Sequence, residues 1–410
     1  MRETMAGPRT QVRGFRFGAA LATLVAAALL LAATAVPARA ATPATGPAGA
    51  ALDLIEASQN ADGGFPAFGP DSSPGSTLDA LFALVAGGRD PAAVTGGGNS
   101  PADYLAAQAA AYAADPGAAA KLSLGVSSVG LDPSAFAGLD LLATMDASYD
   151  PATGAYGLDL FDEAFYLLAL EAGGQPVPAA LVAHIQSLQQ PDGGWEFLPG
   201  FGTDTNTSSI VLQGLLAAGV PADDASVQDG LAYLAASQMP DGGFSYSPQF
   251  EADPSSTALA IQTLVAAGED IDAGGPWAPG GNAPLDALVA MQNPATGAFQ
   301  FGGFDSLFST YQAVPGLMLA PFPDLVTLPD GDTPSPTPTP TPEPAATPSP
   351  SPTPTPTALA ESEGPSALPA SGGEPAGLPG AGWGGIAVLL AMWGAVAALG
   401  VVAVRRRRGS

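Results

Sequence analysis

Four short segments of this chain are near copies of one another. Gln59–Phe65 reads QNADGGF, Gln190–Trp195 QPDGGW, Gln238–Phe244 QMPDGGF and Gln292–Phe299 QNPATGAF, and Tyr149–Tyr156 (YDPATGAY) is a fifth variant. Each ends one apolar, helix-like run and comes shortly before a second. A helical hairpin recurring every 45 residues or so cannot bury its own apolar face, so neighbouring units must stack into an array.

The helix ends set the register. Gly88, Gly130, Gly174, Gly219 and Gly268 each close an Ala/Leu/Val-rich run. Glycine in the left-handed position beyond a helix is a stop. Fifteen residues before these stops lie Ser73, Asp115, Asp159, Asp204 and Asp253; the same count back from Ala320 reaches Asp305. Asp and Ser are preferred N-caps, because their side chains accept orphan helical N–H groups. The unit is therefore an outer helix, a DGG-aromatic loop, an Asp or Ser cap, an inner helix and a Gly stop. Repeat two, about 101–130, keeps cap and stop but lacks the loop.

Runs such as Thr77–Val85, Ala164–Leu170, Ile210–Ala217 and Ala258–Ala266 are apolar on nearly every face, so they predict helices buried all round. The preceding runs, such as Ala179–Leu188, are more amphipathic. Two concentric layers of six hairpins predict an all-α (α/α)6 toroid. The alternative, an open solenoid, calls for polar capping repeats at its ends, and none is evident.

These residues carry a family resemblance. Q-x-x-D-G-G-[FW] resembles the QW repeat of the squalene and oxidosqualene cyclases, and Ser255–Leu264 (SSTALAIQTL) resembles an inner-helix segment of the same superfamily. That superfamily is the terpenoid cyclase/protein prenyltransferase α/α toroid, and the resemblance covers residues 48–322. It implies that the Gln and the aromatic tie one hairpin to the next.

The superfamily's known chemistries lack their residues here. Cationic cyclisation starts from a D-x-D-D acid kept protonated by its neighbours, and the chain has none. Asp162-Glu163 is the nearest paired acid, and its plainer reading is a cap with first-turn charge. The zinc of the prenyltransferases needs Cys, and thioester relatives need a Cys-Gln pair; the chain has no cysteine. The single histidine, His184, has no G-x-S-x-G serine to serve. No cofactor or metal is expected. A glycan hydrolase using two carboxylates remains open.

The ends point to export. Arg2, Arg9, Arg13 and Arg16, an apolar run from Phe17 to Val36 and Ala38-Arg39-Ala40 read as a secretory signal peptide over 1–40. Residues 323–382 read as a disordered Pro/Thr/Ser/Gly-rich linker, 383–404 as a single transmembrane helix, and 405–410 as a basic cytoplasmic tail. Leu368–Gly372 and Leu378–Gly382 resemble a degenerate LPxTG sorting signal, so sortase-type cell-wall anchoring is the alternative. The toroid is thus expected outside the cell, monomeric and tethered to the membrane.

Residues 41–332 hold 33 acids against Arg89 and Lys121, a net of −31. Such a surface does not bind nucleic acid. What is present is aromatic rings near carboxylates, a pairing that suits sugars, flat cofactors or cationic groups, and the expected ligand is a small apolar molecule, a corrin or a glycan. The candidate ligand residues are Phe68, Tyr156, Trp195, Phe197, Tyr246 and Phe301, with Asp159, Asp162, Glu163, Asp204, Asp253 and Asp305. The competing reading makes the first ring of each loop a wedge between hairpins. The expected function is a non-catalytic, surface-anchored ligand-binding module. A divergent cyclase, lyase or glycan hydrolase, and a structural or adhesive surface head, are the alternatives.

Overall fold

The computed structural model describes residues 44–325. The expected signal peptide, all but the first residues of the expected linker, the expected membrane helix and the basic tail lie outside the described residues. No helix among the described residues is long and apolar enough to cross a membrane.

Among the described residues, twelve α-helices alternate between two layers. The outer ones are α1 (Gly46–Ala57), α3 (Pro101–Tyr112), α5 (Leu141–Asp146), α7 (Ala179–Ser187), α9 (Ala225–Ser237) and α11 (Pro284–Ala290). The inner ones are α2 (Pro74–Ala86), α4 (Pro116–Ser128), α6 (Leu160–Ala172), α8 (Thr205–Ala217), α10 (Pro254–Ala266) and α12 (Leu307–Leu317). Inner helices are buried along almost their whole length, whereas outer ones bury a stripe. Each inner helix packs on the next, from α2 through α4, α6, α8 and α10 to α12, and α12 packs back on α2. The ring is closed, and the protein is an (α/α)6 toroid. Among the described residues the strands are β1 (Phe299–Phe301) and β2 (Phe304–Ser306), an antiparallel hairpin in the last loop.

The caps and stops follow the sequence register with one correction. Ser73, Asp115, Asp159, Asp204 and Asp253 each accept an N–H from the residue three positions on. The sixth cap is Ser306, not Asp305. Helix α12 has 11 residues where the other inner helices have 13, so a count of fifteen overshoots. The glycine stops all have positive φ, from 63° at Gly174 to 81° at Gly219. The sixth stop is Leu319, at φ 53°, and the same six-residue closing bond forms there from Ala320 N–H to the Pro315 carbonyl.

Counting from the cap, positions six and nine of the inner helices face the axis. This follows from Phe322, in the 3₁₀ turn Phe322–Asp324 beyond α12. Its ring meets Phe82 of α2 at 5.3 Å and Phe165 of α6 at 5.7 Å. Its N–H donates to Gln213 Oε1 of α8 at 3.0 Å. One turn earlier, position two faces the same way. Phe322 therefore fills the axis from the side of the inner-helix C-termini. The opposite mouth is formed by the six inner-helix N-termini and the loops that precede them.

Candidate functional site

The DGG-aromatic loops stitch hairpins together. Gln59, Gln189, Gln238 and Gln292 each donate to the first glycine's carbonyl in their own loop. Each also reaches the following repeat, at the carbonyls of Val94, Ser226, Trp277 and Pro47. The structural glutamine of the second segment is Gln189; Gln190, where the sequence match begins, bonds only the nearby Leu188 carbonyl through its side chain. The first glycine is required twice over. Gly193 has φ 88°, and a methyl there would overlap the Asp229 carbonyl of α9.

The first ring of each loop is a wedge. Phe65, Tyr156, Trp195, Phe244 and Phe299 are buried. Trp195 Nε1 donates to the Ile185 carbonyl at 2.9 Å, and Tyr156 stacks on Tyr166 at 4.0 Å. Tyr156 and Trp195, expected among the ligand residues, are thus placed within the wall rather than at its mouth. Burying a ring of this size stabilises the hairpin contact by about 3–5 kcal/mol.

A second periodic device was missed in the sequence. Four residues after the cap, Thr77, Ser208, Thr257 and Thr310 accept the backbone N–H of the loop aromatic. Glu163 occupies that position in the third hairpin. It accepts from Tyr156 N–H at 3.5 Å and pairs with His184 of α7 at 3.2 Å. Glu163 is therefore a longer substitute for a structural Ser or Thr.

The other expected acids divide by burial. Asp204 is buried; it accepts from Thr207 N–H and hydroxyl at 2.8 and 2.7 Å, and burial pushes it up to about 7 against those bonds. Asp253 is capped likewise by Ser256, and burial raises it too. Asp159 and Asp162 are mutually close. Burial first, and their charges on one another second, push Asp162 up to about 7, while burial holds Asp159 at about 6. Glu163 is pushed by burial to about 8. Asp305 is the exception. It is exposed and bound to Asn293, Thr296 and Gln300, which lower its pKa. It stitches the last loop and does not line the mouth.

Two aromatic ladders lead from the axis to the rim. Phe161, at position two of α6, meets Phe197 at 6.0 Å, and Phe197 meets Phe201 at 6.3 Å. Phe308, at position two of α12, meets Phe68 at 5.0 Å. The outer ends stand in solvent: Phe201 is 59% and Phe68 66% exposed, with Leu158 and Phe304 at 77% and 78% on neighbouring loops. Phe301 is also exposed on β1, and Tyr246 is half-buried beside Asp204. Phe197, expected to meet ligand directly, is a buried middle rung.

The axial floor of the mouth holds what no motif announced. Asp79 of α2 and Lys121 of α4 form a buried ion pair at 2.7 Å. Burial lowers Lys121 to about 8 even though Asp79 opposes the shift. The only available signal was positional, since both lie six residues after their caps. A separate open cleft is lined by Glu56, Gln59, Arg89 and Asp90. Its arginine is held by Asp53 and Glu56.

No family model matches this chain, and no curated protein does. Among solved structures it is similar to the type II terpene cyclase MstE from Scytonema, with 15% identity, a TM-score of 0.49, and coverage of 66% of this chain and 96% of that one. It is also similar to a structure named only as a wild-type glycosidase, with 17% identity, a TM-score of 0.42, and coverage of 67% and 97%. Likeness at this level carries no chemistry from those proteins to this one. The toroid itself is established by the closed ring of inner helices.

Proposed function

We propose that the protein is an exported, surface-tethered binding module whose ligand rests on the mouth at the inner-helix N-termini. The observation that carries this reading is the pair of aromatic ladders, Phe161–Phe197–Phe201 and Phe308–Phe68, each ending in an exposed ring. Exposed rings that continue a buried aromatic stack are held in place before any ligand arrives, so little ordering entropy is lost on contact. The ligand is a small molecule with one apolar face and polar groups directed into the mouth. Titration calorimetry of the purified full chain against neutral oligosaccharides, a corrinoid and a long-chain isoprenoid alcohol tests it. One of the three binds, and replacing both Phe68 and Phe201 by Ala weakens that binding at least tenfold. No binding, or binding indifferent to the double variant, ends the proposal.

A second reading, a glycan hydrolase, is favoured by Asp162, a carboxyl pushed up to about 7 and so able to hold a proton near neutrality. It predicts release of reducing ends from a glycan substrate, abolished by Asp162→Asn. The binding reading predicts no release.

A further inference from the structure

Several buried polar oxygens around the axial floor lack a hydrogen-bond partner. Lys121 Nζ donates to Asp79 Oδ1 at 2.7 Å and to the Gly75 carbonyl at 3.2 Å. Asp79 is only 4% exposed, yet its Oδ2 has no hydrogen-bond partner. The Tyr112 hydroxyl, at the end of α3, is buried and equally unpartnered. It lies beside the ion pair, 3.7 Å from where a Cβ on Gly75 would stand. On the facing wall, Asn206 Oδ1, at position two of α8, and Gln262 Oε1, at position nine of α10, are buried acceptors without donors. A buried acceptor left unpaired loses its bonds to water without replacement, and here several surround one axis.

The wall is notched at this point. Position two is Phe161 in α6 and Phe308 in α12, but Gly75 in α2 and Gly117 in α4. The Asp162 carboxylate reaches into the space a Cβ on Gly117 would take. Position two is thus small or polar in α2, α4, α8 (Asn206) and α10 (Ser255), and aromatic in α6 and α12.

The chemistry narrows the occupant. A wholly apolar ligand leaves Asp79 Oδ2 and the Tyr112 hydroxyl orphaned. An anion meets Asp79 and Asp162. A cation meets Lys121. A ring bearing neighbouring hydroxyls on one side and C–H groups on the other satisfies the acceptors and covers the phenylalanines. Resting on the binding reading above, we infer that the axial floor takes a neutral sugar ring, with its hydroxyls on Asp79 Oδ2 and the Tyr112 hydroxyl and its apolar side toward Phe161 and Phe308.

The experiment titrates maltose, cellobiose and N,N′-diacetylchitobiose into the full chain and into Tyr112→Phe, Asp79→Asn and the Phe68/Phe201 double alanine variant. At least one sugar binds. Tyr112→Phe weakens it about tenfold while the melting temperature of the free protein stays level or rises, because an orphan hydroxyl has been removed. A purely structural Tyr112 leaves affinity untouched. Should Asp79→Asn fail to fold, Tyr112→Phe decides alone. Sugar binding indifferent to Tyr112→Phe overturns the inference. So does binding of only the corrinoid or the isoprenoid alcohol through Phe68 and Phe201, and in both cases the binding reading survives. If no probe binds, both fall.

Discussion

Gln292 Nε2 donates to the Pro47 carbonyl at 2.8 Å, joining residues 245 apart in sequence. The same side chain also holds its own loop through the Gly297 carbonyl. That bond is the last of four in which a loop glutamine grips the following repeat, and here the successor of the sixth hairpin is the first. Because the last grips the first, the array has no exposed end to cap.

The glutamine series gives a paired prediction. Gln189→Ala removes bonds to the Gly193 and Ser226 carbonyls and should lower unfolding free energy by about 1–2 kcal/mol. Gln190→Ala, one residue on, loses only a bond to Leu188 and should stay within about 0.5 kcal/mol of the native chain. Urea unfolding separates them; equal losses would contradict the stitching role.

The loop glycines differ by what faces them. Gly193 and Gly200 have nearly the same φ, 88° and 87°. A methyl on Gly193 overlaps the Asp229 carbonyl, whereas Gly200 has open space. Gly193→Ala should be at least about 2 kcal/mol more destabilising than Gly200→Ala. Similar midpoints in thermal unfolding would show that backbone conformation alone governs the loop.

Stability should fall as pH rises through neutrality. Asp162 and Glu163 have folded pKa values raised by burial, to about 7 and about 8. The folded state therefore binds more protons than the unfolded chain above the ordinary carboxylate range. Its extra stability is complete below that range and is lost as pH passes through those folded values. Asp159 and Asp204, raised to about 6 and about 7, act in the same sense. Melting temperature should decline between about pH 5 and pH 8, and Asp162→Asn or Glu163→Gln should flatten the decline. The glutamine keeps an acceptor for the Tyr156 N–H. A flat native profile refutes this account.

Phe322 plugs the axis between Phe82 and Phe165. Phe322→Ala should cost about 3 kcal/mol, the range for an aromatic side chain removed from a packed core. A loss below about 1 kcal/mol in urea would mean that the inner helices close that end without it.

Much of the fold was legible because its signals are local. A cap bonds three residues on, and a left-handed glycine ends the helix it follows, so both recur in the sequence at the repeat period. The last cap is Ser306 rather than Asp305 because the last inner helix is shorter, and the stitching glutamine of the fourth hairpin's loop is Gln189 rather than Gln190. Glu163 was harder to read. As half of Asp162-Glu163 it looks like acid chemistry, but its position four residues after the cap makes it the counterpart of Thr77, Ser208, Thr257 and Thr310.

The candidate site was far less legible. Asp79 and Lys121 lie 42 residues apart, one repeat, in helices that are otherwise apolar. Nothing in the neighbourhood of either predicts the other. Tyr112 belongs to an outer helix and looks like a surface residue. The sequence by itself determined the hairpin unit, its number and its joints, because hydrogen bonds between near neighbours depend only on residue type and spacing. Which rings became wedges and which reached the rim, and which charges met on the axis, was decided by closure of the ring. Only closure brings matching positions of separate repeats into one dry space, where an ion pair or an orphan oxygen has consequences.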